Sequence, residues 1–466
     1  MTLMGPQPNL RTESMTQQGH LIRVLRRREV LALAFGAMIG WSWVALAGTW
    51  LESAGSLGAI SAFLIGGGVI AFIGLTYAEL ASAIPLVGGE HAYSLRALGP
   101  GASFVCTWAI IFGYVSVVAF EVVALPTVTE YLFPGLKKTY LWTVAGYDVY
   151  LSWVLVGVVG SLVMTAINVV GIKMAAVVQT AVTLVILLAG VVVVGGAVFN
   201  GSVVNMQPFE VGGIKGMLNV LVMVPFLLVG FDVIPQAAEE IDLPYREIGA
   251  VLVMSVIMAV AWYVLIVLGV ALSLDGNALA SANLATAEAG TAAWGSPLIG
   301  KLVVVAGIAG ILTSWNAFLV GGSRAIYALA EFGTLPRFLG RLHPRFNTPA
   351  NAVVLVGVLA VFAPLFGRQT LVWLVDAGGL GIVIAYAMVA LSFIVLRHRE
   401  PEMPRPYRVR HGSFIGYTAF ALALGMAMLY LPGSPSALVW PHEWIILLSG
   451  AAVGAVFYVW ARITRG

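Results

Sequence analysis

Residues 223–242 read MVPFLLVGFDVIPQAAEEID, and residues 31–50 read LALAFGAMIGWSWVALAGTW. Each stretch is long and apolar enough to cross a bilayer, for which roughly 20 residues suffice as a helix. Each is also interrupted at its middle. Gly230 and Asp232 sit near the centre of one, between Pro225 and Pro235. Gly36 and Gly40 sit at the centre of the other, followed by Ser42. A break frees backbone N–H and C=O groups, and a membrane tolerates this only where the break is buried in protein or lines a cavity. A carboxylate at the bilayer centre costs at least about 2.5–3.5 kcal/mol, so Asp232 is expected to face a cavity or a partner. The plainer reading of Gly36 and Gly40 is close helix packing through a small-xxx-small spacing. For Asp232 it is a hydrogen bond to a neighbouring helix end.

The rest of the chain agrees with a membrane setting. Of 466 residues, 60% are hydrophobic and 10% charged, against about a quarter charged in soluble domains. A barrel would show short alternating segments, whereas this chain has unbroken apolar runs such as 175–199. Twelve apolar segments are expected, at 29–52, 57–84, 101–131, 150–170, 174–199, 215–238, 247–273, 297–330, 350–366, 370–396, 414–431 and 443–462. With a cytoplasmic N-terminus, only Lys137, Lys138, Lys215, Lys301 and Arg368 of the 24 basic residues fall outside. This follows the positive-inside rule and places both termini in the cytoplasm. Residues 1–27 read as a cytoplasmic tail without a cleavable signal. Residues 397–412, with three prolines among five arginines, read as a semi-extended surface linker ahead of 413–466.

The broken segments are the first and sixth. That pattern points to inverted repeats, 28–199 and 215–396, with a binding site where the breaks meet. Glu121 lies inside the third segment, in VVAFEVVALP. It reads equally as a functional carboxyl or as a protonated structural one. Asp376 reads as a cap or gate contact. Glu239 and Glu240 read as solvated ends or partners of loop arginines. Thr313 and Ser314 in the eighth segment either bond back to the preceding turn or help hold a hard cation such as sodium. Trp41, Trp43, Phe226, Phe231 and Trp315 surround the breaks in sequence. They suit an ammonium by cation–π contact or, individually, ordinary packing.

Four stretches then resemble the amino acid–polyamine–organocation transporter superfamily. They are FGAMIGWSW (35–43), YAELASAIPLVGGEHAYSLRALG (77–99), PFLLVGFDVIPQAAEEI (225–241) and VLRHREPEMPRPYRV (395–409). The third is similar to the sixth-helix pattern of the cationic amino acid transporter branch. The resemblance implies an all-α LeuT-like fold of twelve helices, with a five-plus-five inverted repeat and alternating access. It implies that an amino acid carboxylate meets the N–H groups of Trp41 and Ser42. The amino group would meet the carbonyls of Met38, Ile39, Phe226 and Val229 near Asp232. This chain departs from the family pattern by carrying Trp41-Ser42-Trp43 after Gly40. That bulk opens the alternative of an amine, polyamine or alkanolamine without a carboxylate.

The expected function is therefore secondary active transport of an amino acid, as symporter or exchanger, in the cell (inner) membrane. The coupling ion is a proton on Asp232 or Glu121, or sodium at Thr313 and Ser314, with exchange without any ion as a third option. The fifth-segment stretch 179–194 has no lysine to serve that role. The expected partners are a small amino-bearing solute and lipid, in a monomer or homodimer. Nucleic acid is not expected at a net charge of +3. An enzyme is not expected either. Cys106 is alone, the six histidines lack metal-ligand spacing, and no phosphate loop or nucleophile elbow occurs. No cofactor is implied. A non-transporting sensor has no output domain in its favour.

Overall fold

The computed structural model describes residues 21 and 23–463; residues 1–20, 22 and 464–466, which include most of the N-terminal tail, lie outside the described residues. Helix α1 (Arg27–Ile39) opens with Glu29 accepting from the Arg26 N–H at 3.1 Å. It stops at Gly40, whose φ of 45° belongs to the left-handed region that favours glycine. A short α2 (Ser42–Ala45) leads into α3 (Ala47–Ala83), which kinks at Gly55. A Cβ there would stand 2.7 Å from the backbone of Phe209 and Glu210, so two expected segments join through a bend without a loop.

The chain continues through α4 (Glu90–Leu98), α5 (Pro100–Leu132), a hairpin of β1 (Tyr140–Val144) and β2 (Tyr147–Tyr150), α6 (Leu151–Val170) and α7 (Ile172–Asn200). Then come α8 (Gly213–Leu221), α9 (Val224–Leu227), α10 (Val233–Gln236), α11 (Tyr245–Ser273), α12 (Gly276–Ser281) and α13 (Ala285–Trp294). The last elements are α14 (Pro297–Glu331), α15 (Ala350–Ala360), α16 (Thr370–Arg399), α17 (Gly412–Leu429) and α18 (His442–Ile463). Among the described residues nine helices are long and apolar enough to cross a membrane, and 213–227 and 350–366 are shorter apolar stretches. The boundaries of α5, α6, α14 and α16 agree with expectation within a few residues. Helices α4, α12 and α13 and the hairpin were not expected, because they lie outside the apolar runs that the sequence reading follows.

Two polar anchors fix connecting segments to the helices. The 397–412 stretch, largely exposed, is tied to α3. Buried Glu79 on α3 receives Arg397 at 2.9 and 2.5 Å, Arg405 at 3.0 Å and the Val409 N–H at 2.8 Å. Glu240 pairs not with a loop arginine but with Arg324 on α14, at 3.0 and 2.9 Å, and both side chains are buried. Asp376 on α16 contacts Glu443 on α18. Glu239 accepts the Val87 N–H at 3.2 Å.

Candidate functional site

The two breaks meet in the interior. Gly230 has φ 137°, and a Cβ on it would stand 2.7 Å from Ala37 Cβ and 2.9 Å from Met38 N. Only a glycine lets the α9–α10 interruption lie against the end of α1. Helix α14 makes room on the other side. A Cβ on Gly310 would stand 1.9 Å from the Gly40 carbonyl oxygen, and one on Gly307 2.0 Å from the Trp41 ring. Gly307 and Gly310 are one helical turn apart in the eighth segment, a small-residue spacing visible in the sequence.

A cavity of about 20 Å³ sits at the break in the α1–α2 stretch. It is little more than the roughly 10–15 Å³ that one water needs. Of the residues expected to form the site, Met38, Gly40, Trp41, Ser42, Glu121, Phe226 and Ser314 line it. Phe120, Val117 and Phe318 line it as well. Val117 and Phe318 follow from helical spacing, since Val117 lies one turn before Glu121 and Phe318 one turn beyond Ser314.

Glu121 is 1% exposed, and its Oε2 has no hydrogen-bond partner. A Cβ at Gly40 would stand 3.0 Å from its Oε1, and Ser314 is its polar neighbour. The desolvation of this carboxyl is therefore incompletely offset within the protein, and it faces the break directly. Phe120 and Phe226 meet at 5.8 Å beside it.

Asp232 does not line this cavity. Its Oδ1 accepts the Gly230 N–H at 2.8 Å, so the carboxylate satisfies a donor freed by its own break. Its Oδ2 accepts from the Tyr386 hydroxyl at 3.4 Å, and Tyr114 faces it from α5. The expected carbonyl cluster is also partly occupied. Tyr263 on α11 donates to Met38 O at 2.7 Å, approaches Ile39 O at 3.3 Å, and shares a 2.8 Å hydrogen bond with Ser42 Oγ. Tyr263 thus spans the α1–α2 break. No sequence signal marks it, because only folding brings α11 to that point.

Thr313 and Ser314 point to different places. The Thr313 hydroxyl lies 3.1 Å from Gly36 O and 2.9 Å from Gly310 O, whereas Ser314 lies on the cavity. Gln179 on α7 reaches Ala32 O at 3.3 Å and accepts from Asn316 at 3.3 Å. Ile39, Trp43, Val229, Phe231 and Trp315 are buried near the breaks but do not line the cavity. Trp43 packs edge-on to Trp262 at 5.2 Å, and Phe231 packs against Tyr77 and Tyr386.

Comparison with known proteins gives this geometry a setting. A methylthioribose transporter of Bacillus subtilis is 26% identical over 98% of this chain and 97% of its own length. A branched-chain amino acid permease of the same organism is 25% identical over 83% of this chain and 84% of its own. A chloroplastic cationic amino acid transporter of Arabidopsis thaliana is 27% identical over 73% of this chain and 61% of its own. All three are transporters. The amino acid permease family model matches residues 29–449. A small buried cavity between two interrupted apolar helices, with the Glu121 carboxyl on its wall, is thus set within a match spanning most of the sequence, and the chain belongs to the amino acid permease family of the amino acid–polyamine–organocation superfamily.

Proposed function

We propose that this permease is a secondary active transporter that carries a small amino acid by alternating access, as symporter or exchanger, in the bacterial inner membrane. The observation that carries the reading is the Glu121 carboxyl, buried with one oxygen unpartnered and facing the Gly40 break among aromatic rings. An ammonium would satisfy that oxygen, and the surrounding rings favour a cation. The carboxylate would meet the open N–H groups of Trp41 and Ser42 where the helix restarts. The amino acid permeases among the relatives support an amino acid as solute.

We further propose twelve crossings in a LeuT-like arrangement, with cytoplasmic termini and repeats at 28–199 and 215–396. Mirrored packing supports it. Helix α3 lies on α11, α5 lies on α16, and α7 lies on α14. Those are the pairings that exchanging the two repeats would reproduce. A cavity of about 20 Å³ excludes an amino acid, so loading requires the interrupted helices to move.

A second reading, an amine without a carboxylate, has its own support. Ser42 Oγ is held by Tyr263, and Trp41 adds bulk at the restart. The methylthioribose relative also carries a solute that is not an amino acid. Thermal stability against amino acids and their decarboxylated amines separates the two readings, because a ligand that binds only the folded state raises the melting temperature. Stabilisation by amino acids alone is expected. Stabilisation by amines alone selects the second reading, and stabilisation by neither class sinks both. In Trp41→Ser the cavity widens, and bulkier solutes are expected to compete for uptake. An unchanged inhibition profile would remove Trp41 from size selection.

A further inference from the structure

A second buried polar cluster lies on the other side of Asp232. Glu90, the first residue of α4, is fully buried, and Gln236 on α10 donates from Nε2 to its Oε2. Gln236, the last residue of α10, lies four residues after Asp232, which caps that helix, so this short helix links the carboxyl at the break to the amide that holds Glu90. Glu90 Oε1 and Gln236 Oε1 have no hydrogen-bond partner. Tyr77 on α3 faces both carboxyls, and its buried hydroxyl is also unpartnered. Tyr386 on α16 reaches Asp232 and faces Glu90.

Among the described residues no free positive charge faces this pair. Tyr93 on α4 and Tyr114 and Cys106 on α5 complete the titratable groups around it. Burial pulls His91 down to about 4, which leaves it neutral near pH 7. On α14, Arg324 is engaged by Glu240 and Ser323. Arg397 and Arg405 are engaged by Glu79. Burial, and then the Asp232 charge, push Glu90 well above the usual carboxylate range. Two buried carboxyls without a counter-cation cannot both be ionised at neutral pH.

We propose that Glu90 and Asp232 form one proton-binding site, separate from the Glu121 cavity, whose proton is exchanged when α10 moves. In this conformation the pair holds one proton and one negative charge. Movement of α10 separates Gln236 from Glu90 and Asp232 from Tyr386, so a proton held here is released or taken up with the conformational change. This rests on the transport reading above, and it names the coupling ion as a proton.

Infrared titration of the purified protein tests the pair without any solute. The carboxylic acid band lost in Glu90→Gln or in Asp232→Asn identifies each group. Removing either partner is expected to shift the titration of the other to lower pH by about one unit or more, the mark of coupled sites. Unshifted titration of the surviving carboxyl overturns the proposal. If Glu90→Gln fails to fold, the Asp232→Asn arm decides it alone. In proteoliposomes given L-leucine and L-arginine, an inward proton gradient is expected to drive accumulation by wild type, and Glu90→Gln is expected to lose most of it. Accumulation equal to wild type would overturn the coupling role. Failure of wild type to accumulate either probe counts against the transport reading instead, while the infrared titration still decides the pair.

Discussion

Replacing Glu121 with Gln is expected to weaken solute binding by about 10- to 100-fold, in line with the roughly 1.5–3 kcal/mol of a hydrogen bond to a charged group. Glutamine keeps the size of the side chain and its ability to bond Ser314, so the fold should survive and the protein should still insert. What disappears is the carboxyl group facing Gly40, which could pair with an ammonium as a carboxylate. The competing account treats Glu121 as a protonated structural carboxyl resting on Ser314. On that account glutamine is a close substitute, and binding barely changes. Equilibrium binding of the solute identified by the stability panel, compared between wild type and Glu121→Gln, separates the two. Near-equal affinity would take Glu121 out of the site. Glu121→Asp retains the charge on a shorter arm and is expected to fall between them.

The second large effect concerns stability. Arg324→Leu leaves Glu240 as an unpaired buried charge, and breaking such a pair from one side costs about 3–5 kcal/mol. The pair ties α14 to the end of the interrupted α9–α10 stretch, where the Val24 and Leu25 N–H groups also bond Glu240 O at 2.9 and 3.0 Å. Either single variant, Arg324→Leu or Glu240→Leu, should therefore melt well below wild type. The double variant should recover most of the loss, because two well-packed apolar side chains can replace a buried ion pair at little net cost. Melting temperatures of all four proteins in detergent check this. Single variants as stable as wild type would mean that water reaches the pair.

Several site features were legible before folding. Gly40, Glu121 and Ser314 announce themselves as a glycine interruption and polar groups inside apolar runs, where desolvation leaves few reasons for them. They do line one cavity. Asp232 announces itself by the same argument, yet its main partner is a backbone N–H two residues away. Desolvation requires that a buried carboxyl be satisfied, but it does not say by which group. Glu240 illustrates the same gap. Its neighbours in sequence suggested a loop arginine, and its partner proved to be 84 residues away on α14.

The sequence by itself determined the membrane setting, the places where the two key helices break, and the family. These depend on hydropathy, glycine and proline along a single strand of chain, which are local properties. Tertiary structure alone decided which carboxyl faces which space. It placed Tyr263 across the α1–α2 break, joined Glu90 to Gln236, and seated Gly40 against Gly310. Each of those contacts joins segments far apart in the chain, and each depends on side-chain direction as well as on position. Hydropathy is blind to both, so the chemistry of the site emerged only when the helices packed.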